Sequence, residues 1–193
     1  GLKELGRQPV ALGTVERNSV DVKQAVADIM AKQPEAIVQI SAYKSCAAFI
    51  REARKAGFGG TFYNVSFVGT QALGAELGKD ARGVVVSQVM PFPFTAATPI
   101  SSEFLAAVQA AGASNKDLTV NYSSMEGFVA AKVFVEGLRR AGRSLNADSF
   151  INAMQSIRTT NLGGFQLDFG PQKHTGSRFV ELTLLLEDGR VRR

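Results

Sequence analysis

Few side chains in this chain are equipped for covalent or metal chemistry. It has one histidine and one cysteine in 193 residues, placed in unrelated segments, so no ligand spacing for a metal ion arises. His174 falls in the polar turn PQKHTG and reads as a solvated surface ring. A Ser–His–Asp arrangement would have to recruit it, and no G-x-S-x-G elbow presents a nucleophile. Cys46 shares a helical face with Phe49, Ile50 and Ala53, which makes it a buried small hydrophobe rather than a reactive thiol. GAELGKD superficially resembles a phosphate loop. It has three residues between its glycines rather than four, and Asp80 stands where Ser or Thr would hold Mg²⁺. It also follows a helical stretch rather than a strand, as does GFGG, so neither a nucleotide loop nor a dinucleotide fingerprint fits. No enzyme activity, metal or cofactor is expected.

What remains is hydrogen-bonding chemistry at the ends of apolar runs. Ser41, Ala42 and Tyr43 stand where one run gives way to a helix, whose free N–H groups and positive end suit a carboxylate or another anion. Asn64 and Ser66 occupy the matching end of the next run, and Arg17 and Asn18 follow the preceding one. Ordinary capping and turn formation would place the same residue types there. Three polar clusters at one sheet edge, with an aromatic at Tyr43, would together form a wall of a small-molecule site, and this is the expectation carried forward.

The elements that position these clusters repeat as a strand–helix rhythm. VALGTVERNSVDVKQAVADIM, AIVQISAYKSCAAFIREARKAG and TFYNVSFVGTQALGAEL succeed one another, and the apolar run GVVVSQVM follows. Short β-rich runs alternating with amphipathic helices predict an α/β fold with a parallel sheet wrapped by helices. Ligands gather outside the carboxyl ends of such strands. VALGTVE reads as the first strand, Ser19 as the cap of the helix carrying Val22, Val26, Ile29 and Met30, and AIVQIS as a strand buried on both faces. GLKELG reads as the last turn or two of a helix ending at Gly6, with no cap before it, so we expect the chain to be a fragment.

The texture changes at PFPFTAATP, which holds three of the six prolines and predicts an extended crossing segment. Beyond it the chain is mostly helical, with Phe104, Leu105 and Val108 on one predicted face and Phe128, Ala131, Val135 and Leu138 on the next. Asn146 reads as the cap of a third helix burying Phe150, Met154 and Ile157. GGFQLDFG and RFVELTLLL return to β patterning, the latter as a strand able to rejoin the first sheet, and EDG is a turn before RVRR.

The net charge of +5 raises the question of nucleic acid. Lysines and arginines are scattered over helix faces and helix ends, as at Arg51, Arg54 and Lys55 or Arg139, Arg140 and Arg143, so solvated faces explain them better and no nucleic-acid partner is expected. No apolar run approaches the roughly 18 residues of a membrane span.

In order and spacing, RNSVDVKQAV, PEAIVQISAYKSCAAFIREARKAGFGGTFYNVSFVG, GVVVSQVMPFP, YSSMEGFVAAKVFVEGLRRAG and GGFQLDFGPQKHTG with VELTLLLEDGRV are similar to the C-terminal portion of type I periplasmic solute-binding proteins, in the leucine/isoleucine/valine branch. The resemblance implies the type I periplasmic-binding-protein fold of two α/β lobes, with lobe one incomplete in this chain. It implies that 1–90 and 180–193 belong to lobe two, that 91–99 is a hinge crossing, and that 100–179 is the helical part of lobe one. It further implies a periplasmic protein, its export signal upstream, that captures a small amino acid or carboxylate-type solute between its lobes and delivers it to an ABC permease in the membrane. A sensing module of a receptor or regulator with the same fold is the alternative. The family's ligand contacts map onto Ser41, Ala42 and Tyr43. The position that holds a carboxylate for the ligand's ammonium in branched-chain amino acid binders falls at Ser66. Serine offers a hydrogen bond there but no charge, so an organic acid or amide becomes as good a ligand as a zwitterion.

Overall fold

The computed structural model describes residues 2–112, 115 and 117–193. The chain divides into two compact units, one formed by 1–87 with 182–193 and the other by 88–181.

The first unit is built on the expected alternation. Helix α1 (Lys23–Met30) leads to strand β1 (Ala36–Gln39), α2 (Tyr43–Lys55), β2 (Thr61–Val65), α3 (Thr70–Leu77) and β3 (Val84–Gln88). The strands β1, β2 and β3 pair in parallel, with Ile37 beside Phe62 and Gln39 beside Asn64 in register. Parallel neighbours need a crossover, and α2 and α3 supply it. Two later strands, numbered below as β6 and β7, return to this sheet and give the order β1-β2-β3-β6-β7. The RFVEL strand thus rejoins the first sheet as its sequence pattern predicts.

One face of the sheet carries the core. Ile37, Phe62, Val84 and Val86 pack with Cys46, Phe49, Ile50 and Ala53 of α2 and with Leu73 and Leu77 of α3. Cys46 sits among these apolar groups as expected, and burial pushes its thiol pKa up to about 11. Arg51 and Arg54 do more than solvate a helix face. Arg51 donates to the Glu76 carbonyl in the last turn of α3, and Arg54 to the carbonyls of Asp80 and, at 2.7 Å, Arg82. They satisfy carbonyls at and beyond a helix end that the backbone leaves unpaired.

Three local expectations need correction. Residues 11–16 form no strand, because no neighbouring strand pairs with them. Ser19 does not cap α1: its hydroxyl accepts from the Asp21 amide at 3.0 Å, an Ser/Thr turn that delays the helix to Lys23, with Val22 as the N-cap. Strand β1 is not buried on both faces. Its residues alternate between exposed and buried, leaving Val38 69% exposed on the face away from the helices.

The second unit is mostly helical. It holds α4 (Pro99–Gly112), α5 (Tyr122–Ala141) and α6 (Ala147–Gln155), then an antiparallel hairpin of β4 (Thr160–Leu162) and β5 (Phe165–Leu167). The chain then passes through the exposed turn of His174 to β6 (Glu181–Leu185) and β7 (Val191–Arg192), which pair antiparallel across the EDG turn. PFPFTAATP is neither helix nor strand until Pro99 opens α4. Asn121 and Asn146 each accept a hydrogen bond from the amide three residues on, and Ser124 and Ser149 reciprocate, so α5 and α6 both begin in capping boxes.

The core of this unit gathers Ile100, Phe104, Met125, Val129, Ile157, Phe165 and Leu167. The predicted inward face of α5 is shifted. Met125 and Val129 are buried, whereas Ala131 and Val135 are exposed. Apolar residues run almost all the way round this helix, so periodicity alone selects its face poorly.

Candidate functional site

Most of the residues expected at the site lie where β1 and β2 end. Strand β1 stops at Gln39, and α2 starts at Tyr43 with Ala42 as its N-cap in extended conformation. No side chain caps this helix. The first amides of its thirteen residues, among them Tyr43, Lys44 and Ser45, therefore have no partner within the helix, and the positive end of the helix dipole coincides with them. Ser41 and Tyr43 are half-buried, which leaves them accessible beside those amides.

Strand β2 runs parallel to β1, so its carboxyl end lies at the same edge of the sheet. Ser66 follows the strand directly and opens a 3₁₀ turn, Ser66–Val68, that leads through Gly69 to α3. Gly69 takes φ of 75°, a left-handed conformation that a Cβ would strain, and this lets the chain turn sharply from strand end to helix. Helix α3 likewise starts without a side-chain cap.

Asn18 is brought to the same region by a tether. Ser45, in the first turn of α2, donates its hydroxyl to the Ser19 carbonyl at 2.5 Å. Asn18 itself is exposed and adopts φ of 63°, as asparagine does at tight turns. The sequence-predicted residues Ser41, Ala42, Tyr43, Ser66 and Asn18 thus belong to the adjoining loops of one unit.

Asn64 is placed differently. It lies within β2, is only 3% exposed, and faces the helix-covered side beside Gln39. Both polar atoms of its amide are buried with no hydrogen-bond partner in the protein. Its side chain is an interior polar group beneath the strand end rather than part of the accessible wall.

One residue at this edge escaped the sequence reading. Phe67, next to Ser66, is 75% exposed. With Tyr43 it gives the strand-end loops two accessible aromatic rings. Its signal was present in the hydroxyl–aromatic pair S-F directly after a strand, which hydropathy alone assigns to the core.

The arrangement offers uncapped amides, hydroxyls and aromatic surface, and no nucleophile paired with a base. Among the described residues no group of three or more His, Cys, Asp or Glu side chains converges as metal ligands would. No helix among them is long and apolar enough to cross a membrane. Such a set of groups can hold an anionic or polar small molecule by hydrogen bonds.

Comparison with known proteins bears on this reading. No curated protein matches the sequence. The fold is similar to that of a possible leucine/isoleucine/valine-binding protein from Rhodopirellula baltica SH 1, at 28% identity and a TM-score of 0.84, over 93% of this chain and 48% of that one. It is equally similar to a substrate-binding periplasmic protein from Ralstonia solanacearum, at 30% identity and a TM-score of 0.84, over 98% of this chain and 54% of that one. A fatty acid ABC transporter substrate-binding protein from Thermomonospora curvata shares the fold at 19% identity and a TM-score of 0.75, over 91% of this chain and 46% of that one. The chain therefore spans about half the length of the solved relatives it matches. The family model described as periplasmic binding protein matches residues 1–189, nearly the whole sequence, and the chain belongs to the periplasmic binding protein family.

Proposed function

We propose that this chain is the solute-contacting part of a substrate-binding protein of an ABC importer, acting in the periplasm by capture rather than catalysis. The observation that carries the reading is the uncapped N-terminus of α2 at the carboxyl end of β1, beside the Ser66 turn at the end of β2. A ligand carboxylate would take the amides of Tyr43 to Ser45, with Ser41 and Ser66 adding hydroxyl contacts and Tyr43 covering the apolar part. The proline-rich 91–99 stretch would serve as a hinge crossing, and the loaded form would be presented to a membrane permease.

Ser66 sets the ligand class within this reading. A hydroxyl can accept from an ammonium or donate to a carbonyl, but it does not neutralise charge. The expected ligand is a small carboxylate or amide for which an α-ammonium brings no advantage. Titration of matched pairs of α-amino acids and their deaminated acids, followed by backbone amide shifts in solution NMR, tests this. The unaltered protein should bind each acid at least as tightly as its amino counterpart. Ser66→Asp should reverse the preference by about tenfold, the size expected of one charge-assisted hydrogen bond at a partly solvated site. Tighter binding of the amino acids by the unaltered protein would refute the assignment of Ser66.

A further inference from the structure

A cavity of about 320 Å³ lies in the second unit, apart from the ligand wall described above. Its size falls within the roughly 300–1,000 Å³ of small-molecule pockets. Every residue lining it comes from one run of the chain, 150–174, folded back on itself. The walls are apolar: Phe150, Ile151 and Met154 on α6, and Phe169 just beyond β5. Neighbours hold the two rings in place. Phe150 packs against Phe134 of α5, with ring centroids 5.3 Å apart, and Gly176 lies against the Phe169 ring with no room for a Cβ. Ile151 is 50% exposed, so the apolar wall reaches solvent.

The rim is cationic. Gly170 and Lys173 exchange backbone hydrogen bonds of 2.9 and 3.0 Å across Pro171 and Gln172, a tight turn that sets Lys173 and His174 at the cavity. An adjoining hollow shares Gly170 and Lys173 and adds Arg158, whose guanidinium a Cβ at Gly170 would meet at 2.7 Å. Among the described residues no carboxylate lines either one. Asp168 pairs with Lys173 from outside them, and an ammonium has three N–H donors, so that pairing leaves two. The negative end of the α6 dipole would oppose an anion here, but its carbonyls are already engaged. Those of Ala153, Met154, Ser156 and Ile157 accept from the Ser156 hydroxyl, the Ile157 amide, Arg140 and the Phe169 amide in turn.

An apolar slot with fixed rings and a cationic edge matches an anion that carries an apolar body. We propose that this cavity is a second ligand site, for a carboxylate bearing an alkyl chain or ring. The apolar body would lie among Phe150, Met154 and Phe169, and the carboxylate on the Lys173 ammonium, with Arg158 adding to the positive field. A short carboxylate brings too little apolar surface to hold the site. The inference uses no contact of the strand-end loops, so it stands or falls independently of the solute reading.

Amide shifts in solution NMR test this, with octanoate, octanol and propionate titrated separately into the chain, each at concentrations where it stays monomeric. Octanoate should give saturable shifts at 150–155 and 169–174. It should bind about fivefold more tightly than octanol, as one ion pair at a partly exposed site allows. Propionate should leave these amides unmoved. Lys173→Gln should lower octanoate to the affinity of octanol. Asp168→Asn releases the ammonium from its carboxylate, so octanoate should bind about twofold tighter and octanol no differently. A gain of this kind cannot come from misfolding. Ile151→Glu, at an exposed position, should abolish binding of both, with unchanged α4 and α5 resonances showing that the unit is folded. Octanoate shifts confined to the strand-end loops of the first unit overturn the proposal and leave the solute reading intact. Octanol binding as tightly as octanoate to the unaltered protein, or Asp168→Asn weakening octanoate, also overturns it.

Discussion

Ser66 and Cys46 show how one atom's surroundings decide what a side chain can do. Ser66 follows a strand at an accessible edge, so its hydroxyl remains available to a ligand. Cys46 is 1% exposed, with its thiol 3.5 Å from the Ser41 carbonyl and apolar neighbours around it. Desolvation dominates, and the thiolate is disfavoured. The fold therefore favours the protonated thiol. That contribution is complete below the unfolded pKa near 9 and is lost as pH rises through about 11. Urea unfolding at pH 8 and pH 10.5 should show a loss of about 2 kcal/mol that Cys46→Ala lacks. An identical pH dependence in the alanine variant would show that the thiol contributes none of it. In the native protein at pH 8, alkylation of Cys46 should be limited by unfolding.

At the scale of elements, the sequence was legible where local pattern and tertiary context agree. The apolar run AIVQ, the amphipathic stretch Tyr43–Lys55 and the strand TFYNV could be read directly, because burial of one helical stripe against the sheet accounts for their composition. VALGTVE was not, because a strand exists only with a partner, and periodicity carries no information about whether one is present. The placement of the candidate residues was legible to a similar degree. Polar residues at the ends of apolar runs located Ser41, Tyr43 and Ser66, but nothing in the local pattern said that Asn64 faces inward or that Phe67 faces out.

Element packing also depends on a residue that carries no side chain. Gly137 on α5 is buried, and a Cβ there would lie 2.5 Å from Met154 Sδ and 2.9 Å from the Phe150 ring on α6. A side chain at this position would have to displace the Met154 thioether and the Phe150 ring. Gly137→Leu should destabilise the second unit by about 1–3 kcal/mol through overpacking, despite the better helix propensity of leucine. Chemical denaturation followed by far-UV circular dichroism measures this, and an unchanged midpoint would mean that the α5–α6 contact is looser than described.

At the scale of the whole molecule, the chain covers about half the length of its solved relatives, and its proposed ligand wall sits in the first unit alone. A single wall supplies part of the polar contacts and part of the enclosure that ligand sites usually provide. Affinity of this chain by itself should accordingly be low, with Kd on the order of 1 mM or weaker. A measurement suited to weak binding is therefore the direct test of the central claim. Backbone amide resonances would be followed in solution NMR while small carboxylates are titrated in. The account predicts saturable shifts concentrated at Tyr43, Lys44 and Ser45 and at Ser66 to Gly69, with the amides of α5 and α6 unmoved. Saturable shifts centred elsewhere, or none at the strand-end loops at roughly 50 mM ligand, well above the expected Kd, would contradict it.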